Sequence, residues 1–387
     1  MRVADLIRER GPLTVAAFME LALYDPDDGY YARAGQRSGR AGDFFTSVDV
    51  GPLFGELLAL QLAEMWRLLN AGSAPSPFDL VEAGAGNGRL SADILRAACS
   101  RDREFYDAVR LHLVEASGAA RAAQPGTLAD IADRLASSSS ALPASFEGVL
   151  IANELLDALP VHQVVMREDG LREVYVAGSQ TVSQTVSDPV SQTVCGTEVQ
   201  LQLVEGPPST PLLADYLERA GVTLEPGWRV EINLRAIDWV RDAARRLTRG
   251  FIILVDYGHE ARELYSPMHA TGTLTSFARH RSDGPETAAP AWLQHPGEQD
   301  ITAHVDFTSV RAAAEDAGLT TLGFLDQTYF VLGLLPGLPD PQSAIRNPQS
   351  KTLLMPGGLG STHKVLILGK GVGAPALRSL SFKVRAT

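Results

Sequence analysis

From Phe78 onward the apolar residues come in short unbroken runs, each giving way to a glycine-rich turn or to a stretch with apolar positions three and four apart. The segments are FDLVEAGAGNGRLSADILRAACS, VRLHLVEAS, GAARAAQPGTLADIADRLA and FEGVLIANE. Unbroken runs predict strands buried on both faces, and their alternation with helical stretches predicts a parallel sheet covered by helices. Two later runs, GFIILVDYG and KVLILGKG, extend the same sheet, the first following the helical stretch LRAIDWVRDAARRLTR. Between them HVDFTSVRAAAEDAG predicts a helix with Asp306 or Thr308 as its N-cap.

Ahead of Phe78 the rhythm is helical in LTVAAFMELALYD and GPLFGELLALQLAEMWRLLN. The connecting segment, DPDDGYYARAGQRSGRAGDFFTSVDV, is long and rich in glycine, the mark of a functional lid or of disorder. Its Tyr30, Tyr31, Phe44 and Phe45 favour a lid, because disordered linkers are poor in aromatics. The expected organisation is a helical cap and lid over 1–75 and a first half of the sheet core over 76–160. A hairpin and helix insertion over 161–230 and a second half of the core over 231–387 follow, the latter with a substrate-side insertion at 259–310. Two short-period repeats, SQTV within 179–194 and PQS within 341–350, read as surface expansions that carry no chemistry.

A length of 387 residues allows a large core and more than one unit. With 46 acidic against 34 basic residues the formal charge is -12, which argues against a surface that tracks phosphates, so nucleic acid is not an expected partner. Cys99 and Cys195 are the only cysteines; they support neither a disulfide framework nor a zinc site, and Cys99 fits a core thiol on a helix. No stretch approaches the ~20 apolar residues that cross a bilayer, and the N-terminal residues lack the apolar run of a signal peptide; a cytoplasmic enzyme is the expectation.

VEAGAGNGRL places Gly84, Gly86, Asn87 and Gly88 directly after a strand and before a helix, where backbone amides can approach a ligand closely. A dinucleotide fingerprint needs a glycine where Arg89 stands, so a pyrophosphate site is disfavoured. What is left is an acid, Glu82, two residues before the first glycine, suited to the ammonium of a methionine-like moiety: the pattern of an S-adenosylmethionine site. Glu115 ends the next strand, where a carboxylate can accept from both ribose hydroxyls. Acids that merely finish solvated strands are the alternative.

With these residues in place, the chain resembles the MidA-like family of S-adenosylmethionine-dependent methyltransferases. The resemblance runs through GPLTVAAFMELALYDPDDGYY, GDFFTS with LFGE, VEAGAGNGRL, VEAS with Gln124, ANELLDALPV, VDYG, GTL, PGEQDITAHVDFTSV, DQTYFVLG and HKVLILGKG. It implies an α/β fold of the class I, Rossmann-like kind: a mainly parallel seven-stranded sheet, an N-terminal helical cap and inserted α+β elements on the substrate side. It further implies S-adenosyl-L-methionine as cofactor and a protein arginine as methyl acceptor, borne by a subunit of the respiratory complex I type. The chain departs from the family pattern at VDVGP after GDFFTS, at Thr275 after GTL and at LGSTHKVL, all of which bear on lid and substrate contacts rather than on the cofactor.

The stretch VLIANELLDALPV, Val149 to Val161, falls in such an enzyme at the strand end beside the sulfonium. There Asn153 faces the cofactor, while Glu154 and Asp157 are offered to a cationic guanidinium as catalytic acids that grip and orient it. The competing reading makes Asn153 a helix cap and Glu154 and Asp157 first-turn acids favoured by the helix dipole. Asp43, Phe44 and Thr46 are candidates for a lid on the cofactor, and Asp256 and Tyr257 for the substrate cleft. Asp300 and His304, with Asp306, are expected to hold a substrate loop, and no metal is assigned. Other functions compatible with the pattern are an assembly chaperone that binds the cofactor structurally and, on the same sheet, an NAD-dependent oxidoreductase. A homodimer is compatible with it.

Overall fold

A computed structural model describes residues 2–32, 48, 50–71, 76–180, 199–278, 281–283, 290–346, 348–354 and 359–382. The lid candidates Asp43, Phe44 and Thr46, together with Cys195, lie outside the described residues.

The central sheet uses the runs read above as β1 (Phe78–Ala83), β2 (Val109–Val114), β3 (Leu135–Ser139), β4 (Phe146–Asn153), β5 (Leu247–His259), β6 (Thr320–Asp326) and β7 (His363–Lys370). Across the sheet they lie in the order β6, β7, β5, β4, β1, β2, β3. The ladders from β5 through β4, β1 and β2 to β3 are parallel, whereas β7 runs antiparallel to both β5 and β6. The expectation of a mainly parallel seven-stranded sheet needs amending: the sheet is mixed and has an eighth strand, Val305–Asp306, paired with the end of β5.

Side chains alternate across these strands, so each strand feeds two cores. Leu80, Val149, Ile151, Ile253 and Ile367 pack under the helices Leu53–Leu69, Arg89–Arg101 and Gln327–Leu334. Their neighbours Val81, Leu150, Leu254 and Leu366 pack under the helices Leu212–Arg219, Leu234–Arg246 and Phe307–Asp316. Phe54, Leu57, Leu58 and Leu62 on the long N-terminal helix have no exposed surface, each worth about 1.5–3 kcal/mol of burial. The sheet has no room at its centre: a Cβ on Gly148 would sit 2.2 Å from the Asp79 carbonyl oxygen, and one on Gly250 at 1.9 Å from that of Gly148.

A separate five-stranded antiparallel sheet joins Gly170–Gln180 to Val199–Gly206, His162–Arg167 and the N-terminal Leu13–Thr14, with Arg229–Ile232 on His162–Arg167. The strands that flank the SQTV repeat are paired up to Gln180 opposite Val199. The PQS repeat falls in the helices Pro341–Arg346 and Pro348–Leu354, and Leu353, beyond the repeat in the second, is buried in the core. A third core cluster packs Phe18, Met19 and Leu23 of the helix Val15–Tyr24 against Trp292, Leu293 and Ile301, which brings the chain's beginning beside the strand Asp300–Thr302.

Candidate active site

The carboxyl ends of β1, β2, β4 and β5 converge, and the loops leaving them carry the chemistry. After β1 the chain turns through Gly84 (φ 71°), Gly86 (φ 52°) and Gly88 (φ 84°), the last being the N-cap of the helix Arg89–Arg101. A Cβ on Gly84 or Gly88 would press on Leu155 or Leu113 at 3.1 Å, so those two glycines permit packing. Among the described residues nothing lies within 4 Å of a Cβ on Gly86, so that face is open toward a ligand.

The loop is held from three sides. Glu115 accepts from the Gly86 amide at 2.8 Å and the Ser117 amide at 2.7 Å, one per carboxylate oxygen. Gln124 donates to the Gly86 carbonyl at 2.9 Å and is itself fixed by the Ser138 hydroxyl at 2.7 Å. Glu82, 6% exposed, accepts from the Ser91 amide at 3.1 Å and from the Ser91 hydroxyl. Burial pushes the Glu82 carboxyl up to about 7 against the pull of the Ser91 bonds, and Glu115 nearby adds to the rise. The partners of Glu82 therefore belong to the helix start. Asn87 is exposed at the loop tip.

The stretch after β4 departs from the sequence reading. No helix forms at Glu154–Asp157: the strand ends at Asn153 and the next residues make an irregular turn through Pro160, so the helix-capping explanation of these acids has no helix to cap. Glu154 takes φ 51°, a left-handed conformation that costs a non-glycine residue about 1 kcal/mol or more and that clusters at functional sites. Its amide donates to the Val255 carbonyl at 2.8 Å. The turn is closed by Asp256, whose Oδ2 accepts from the Leu155 amide at 3.1 Å and the Leu156 amide at 2.7 Å, while its Oδ1 accepts from Tyr257 N at 2.9 Å. Asp256, read as a substrate-side acid, thus spends its oxygens on backbone amides and shapes the turn. Its carboxyl is pushed up to about 7 by burial, with Glu154 adding to the rise and His363 opposing it.

Around the turn the structure gathers a buried cluster of acids. Asp157 is 6% exposed and its Oδ1 is buried without a hydrogen-bond partner. Burial lifts the Asp157 carboxyl well above the usual carboxylate range, helped by the charges of Asp256, Glu154 and Asp300. The Oδ1 of Asn153 is likewise buried and unpartnered, while its amide nitrogen donates to Glu154 Oε1 at 3.2 Å. Asp300 accepts from the Tyr31 hydroxyl at 2.8 Å, and Tyr24, stacked 5.2 Å from Tyr31, donates to the Ala158 carbonyl at 3.0 Å. Tyr257 packs on His363 with centroids 3.9 Å apart, and His363 Nε2 lies 3.4 Å from Glu154 Oε1, an ion-pair distance without hydrogen-bond geometry. The His363 Nδ1 faces the Leu359 carbonyl at 2.9 Å and so carries the proton there.

Asp300 lies beside Asp157 in this cluster, whereas His304 sits with His259 and His269. Asp306 is the N-cap of Phe307–Asp316, accepting from Thr308 N at 2.9 Å and Ser309 N at 3.2 Å, and takes no part in a triad with Asp300 and His304. Sequence reasoning missed Ser91, Tyr24 and His363 as members of the site. Tyr24 has a faint signal in the aromatic spacing of LYDPDDGYY; Ser91 and His363 have none, since each acquires its partner only through the fold.

Strand order, the glycine loop after β1 and the acids at successive strand ends define an α/β enzyme built for a nucleoside-bearing cofactor at the switch point of its sheet. The profile of the family described as "Putative S-adenosyl-L-methionine-dependent methyltransferase" matches residues 57–325, and the chain belongs to that family. Its cofactor is S-adenosyl-L-methionine. Among curated proteins it is 32% identical to "Protein arginine methyltransferase NDUFAF7, mitochondrial" of Mus musculus, over 84% of this chain and 71% of that one. It is 30% identical to the mitochondrial homologue of that protein in Drosophila melanogaster, over 96% and 84%. Among solved structures, a Burkholderia thailandensis protein bound to S-adenosyl-homocysteine matches with TM-score 0.81 and 29% identity over 98% of this chain and 94% of that one. No helix among the described residues is long and apolar enough to cross a membrane.

Proposed function

We propose that this enzyme methylates arginine on a protein substrate, and that the pocket of Asp157, Glu154, Asp300, Tyr24, Tyr31 and Tyr257 receives the guanidinium. The observation that carries the reading is Asp157: a nearly buried carboxyl with an unpartnered oxygen, ringed by further acids, keeps its proton until a cation answers it, and a bound guanidinium is the cation that ionises it. A guanidinium supplies planar, permanently charged donors that suit such a site. The curated relatives, named as protein arginine methyltransferases, point the same way.

When bound, S-adenosyl-L-methionine supplies a methyl group made electrophilic by its sulfonium. The open face of Gly86 and the fixed carboxylate of Glu115 are the residues that suit it, with Asn153 Oδ1 as an acceptor awaiting a donor. In the acceptor pocket Asp157 and Glu154 fork two guanidinium nitrogens, holding positive charge away from the third, whose lone pair attacks the methyl group. Tyr31 keeps Asp300 oriented, and Tyr24 packs against Tyr31. As the carbon-nitrogen bond forms the sulfur-methyl bond breaks, leaving S-adenosyl-homocysteine, and the proton of the attacking nitrogen then passes to the Glu154 carboxylate and on to solvent, so neither acid is required as a strong base beforehand.

The acceptor is taken to be an arginine-bearing subunit of the respiratory complex I type, and the location cytoplasmic, as in the sequence reading; both belong to this proposal. Incubating the enzyme and labelled methyl donor with a lysate of a strain that lacks it, then sequencing the labelled band, tests the acceptor. Label on arginine supports the reading, whereas a persistent complex with a partner and no product would make the chain a cofactor-binding chaperone.

A further inference from the structure

At the end of β5 three histidines from separate pieces of chain come together. His259 ends β5, His269 ends the turn Pro267–His269, and His304 lies between Asp300–Thr302 and the helix Phe307–Asp316. Their ring centroids are 5.1, 5.4 and 5.8 Å apart, and one ligating atom from each lies within 4.8 Å of the others. We propose that His259, His269 and His304 bind one divalent transition-metal ion of the zinc class, which staples the substrate-side wall to the end of β5.

The donor set fits that ion. An imidazole binds metal as the neutral base, and zinc is held by three protein ligands with a fourth position open to water. The Nδ1 atom of His304 is buried and lacks hydrogen-bond geometry to any partner among the described residues. Glu263 orients the other two rings, those of His269 and His259: its carbonyl accepts from His269 Nδ1 at 3.2 Å, and its carboxylate lies 3.0 Å from His259 Nδ1. An outer carboxylate or carbonyl on one ring nitrogen fixes the tautomer that leaves the other to the metal. An ion at the centre of a 4.8 Å triangle stands about 2.8 Å from each corner, so roughly 0.7 Å of inward movement per ring reaches the ~2.1 Å of a zinc-nitrogen bond. Lys364 is the nearby cation that opposes binding, and its ammonium is engaged by Asp326 at 2.5 Å.

The position gives the ion a task. Ala303, next to His304, donates its amide to the Asp157 carbonyl at 3.0 Å, so fixing His304 fixes the backbone behind the acidic pocket. The spacing of ten and then thirty-five residues matches no short metal motif, which explains why no metal was expected from the sequence.

The test uses the full chain, free of any histidine tag and stripped with a chelator, titrated with Co2+ and read by its visible d–d absorption. One equivalent of Co2+ with intense tetrahedral bands is expected, displaced by Zn2+. His269→Gln and His304→Gln should each weaken Co2+ binding at least tenfold, while His295→Gln, an exposed histidine outside the cluster, should leave it unchanged. His269 stands on a half-buried turn, so its variant keeps the test decisive even where His304→Gln misfolds, as circular dichroism would show. A stripped wild type that binds no stoichiometric Co2+, or a His269→Gln protein that binds it as tightly as wild type, overturns the proposal.

Discussion

Replacing Glu82 by Gln should stabilise the protein at alkaline pH. The carboxyl is 6% exposed and rises from 4.5 to about 7 on burial. For an acid with a raised folded value, the stability is fully present below about pH 4.5 and is lost as pH rises through about 7. The 2.5 units between those values correspond to about 3 kcal/mol at 1.36 kcal/mol each. Gln keeps an acceptor for the Ser91 amide and hydroxyl, and the rise to about 7 already includes what those bonds give the charged form. The gain at pH 8 is then about 3 kcal/mol, and near zero at pH 4.5. An unfolding entropy of about 2.1 cal/mol/K per residue gives about 0.8 kcal/mol/K for 387 residues, so the Tm at pH 8 should rise by about 4 °C. Differential scanning calorimetry of both proteins at pH 4.5 and 8 measures it. A variant with a lower Tm than wild type at pH 8, and the same pH slope, refutes the account of Glu82 as a charge buried at a cost.

Gly86→Ala adds a methyl to an open face at φ 52°, so it should fold with a loss of about 1–2 kcal/mol yet bind S-adenosyl-homocysteine at least tenfold more weakly by calorimetry. Gly250→Ala has no such freedom: its Cβ would meet a carbonyl oxygen at 1.9 Å, and a destabilisation above about 4 kcal/mol should show as loss of soluble protein. Asp256 titrates at about 7 and adds negative charge to the walls of a pocket meant for a cation, so kcat/KM for methylation should rise through neutral pH and level off by about pH 8. A profile that falls over that range contradicts it.

The core strands were legible because each is an unbroken apolar run bounded by glycine or proline, as in FEGVLIAN and GFIILVDYG. The antiparallel β7 was not, since an apolar run such as KVLILGK carries no direction. At the site, Glu115 and the three glycines could be placed because adjacent residues hold them. Glu154 could not, because its left-handed turn is imposed from about a hundred positions away, by Val255 and Asp256. Tyr24, Tyr31 and Asp300 meet only because the N-terminal helix docks on Trp292 and Ile301, and the histidine cluster likewise exists only in three dimensions.

The central claim, that the acidic pocket grips a guanidinium, is met most directly at Asp157. Asp157→Asn keeps the shape, removes the buried charge and should leave S-adenosyl-homocysteine affinity within about threefold of wild type by calorimetry. Arginine methylation, followed by mass spectrometry of the acceptor, should fall by at least a hundredfold, the about 3 kcal/mol expected when one partner of a buried charge pair is lost. A folded, cofactor-binding Asp157→Asn enzyme that methylates at the wild-type rate would contradict the account.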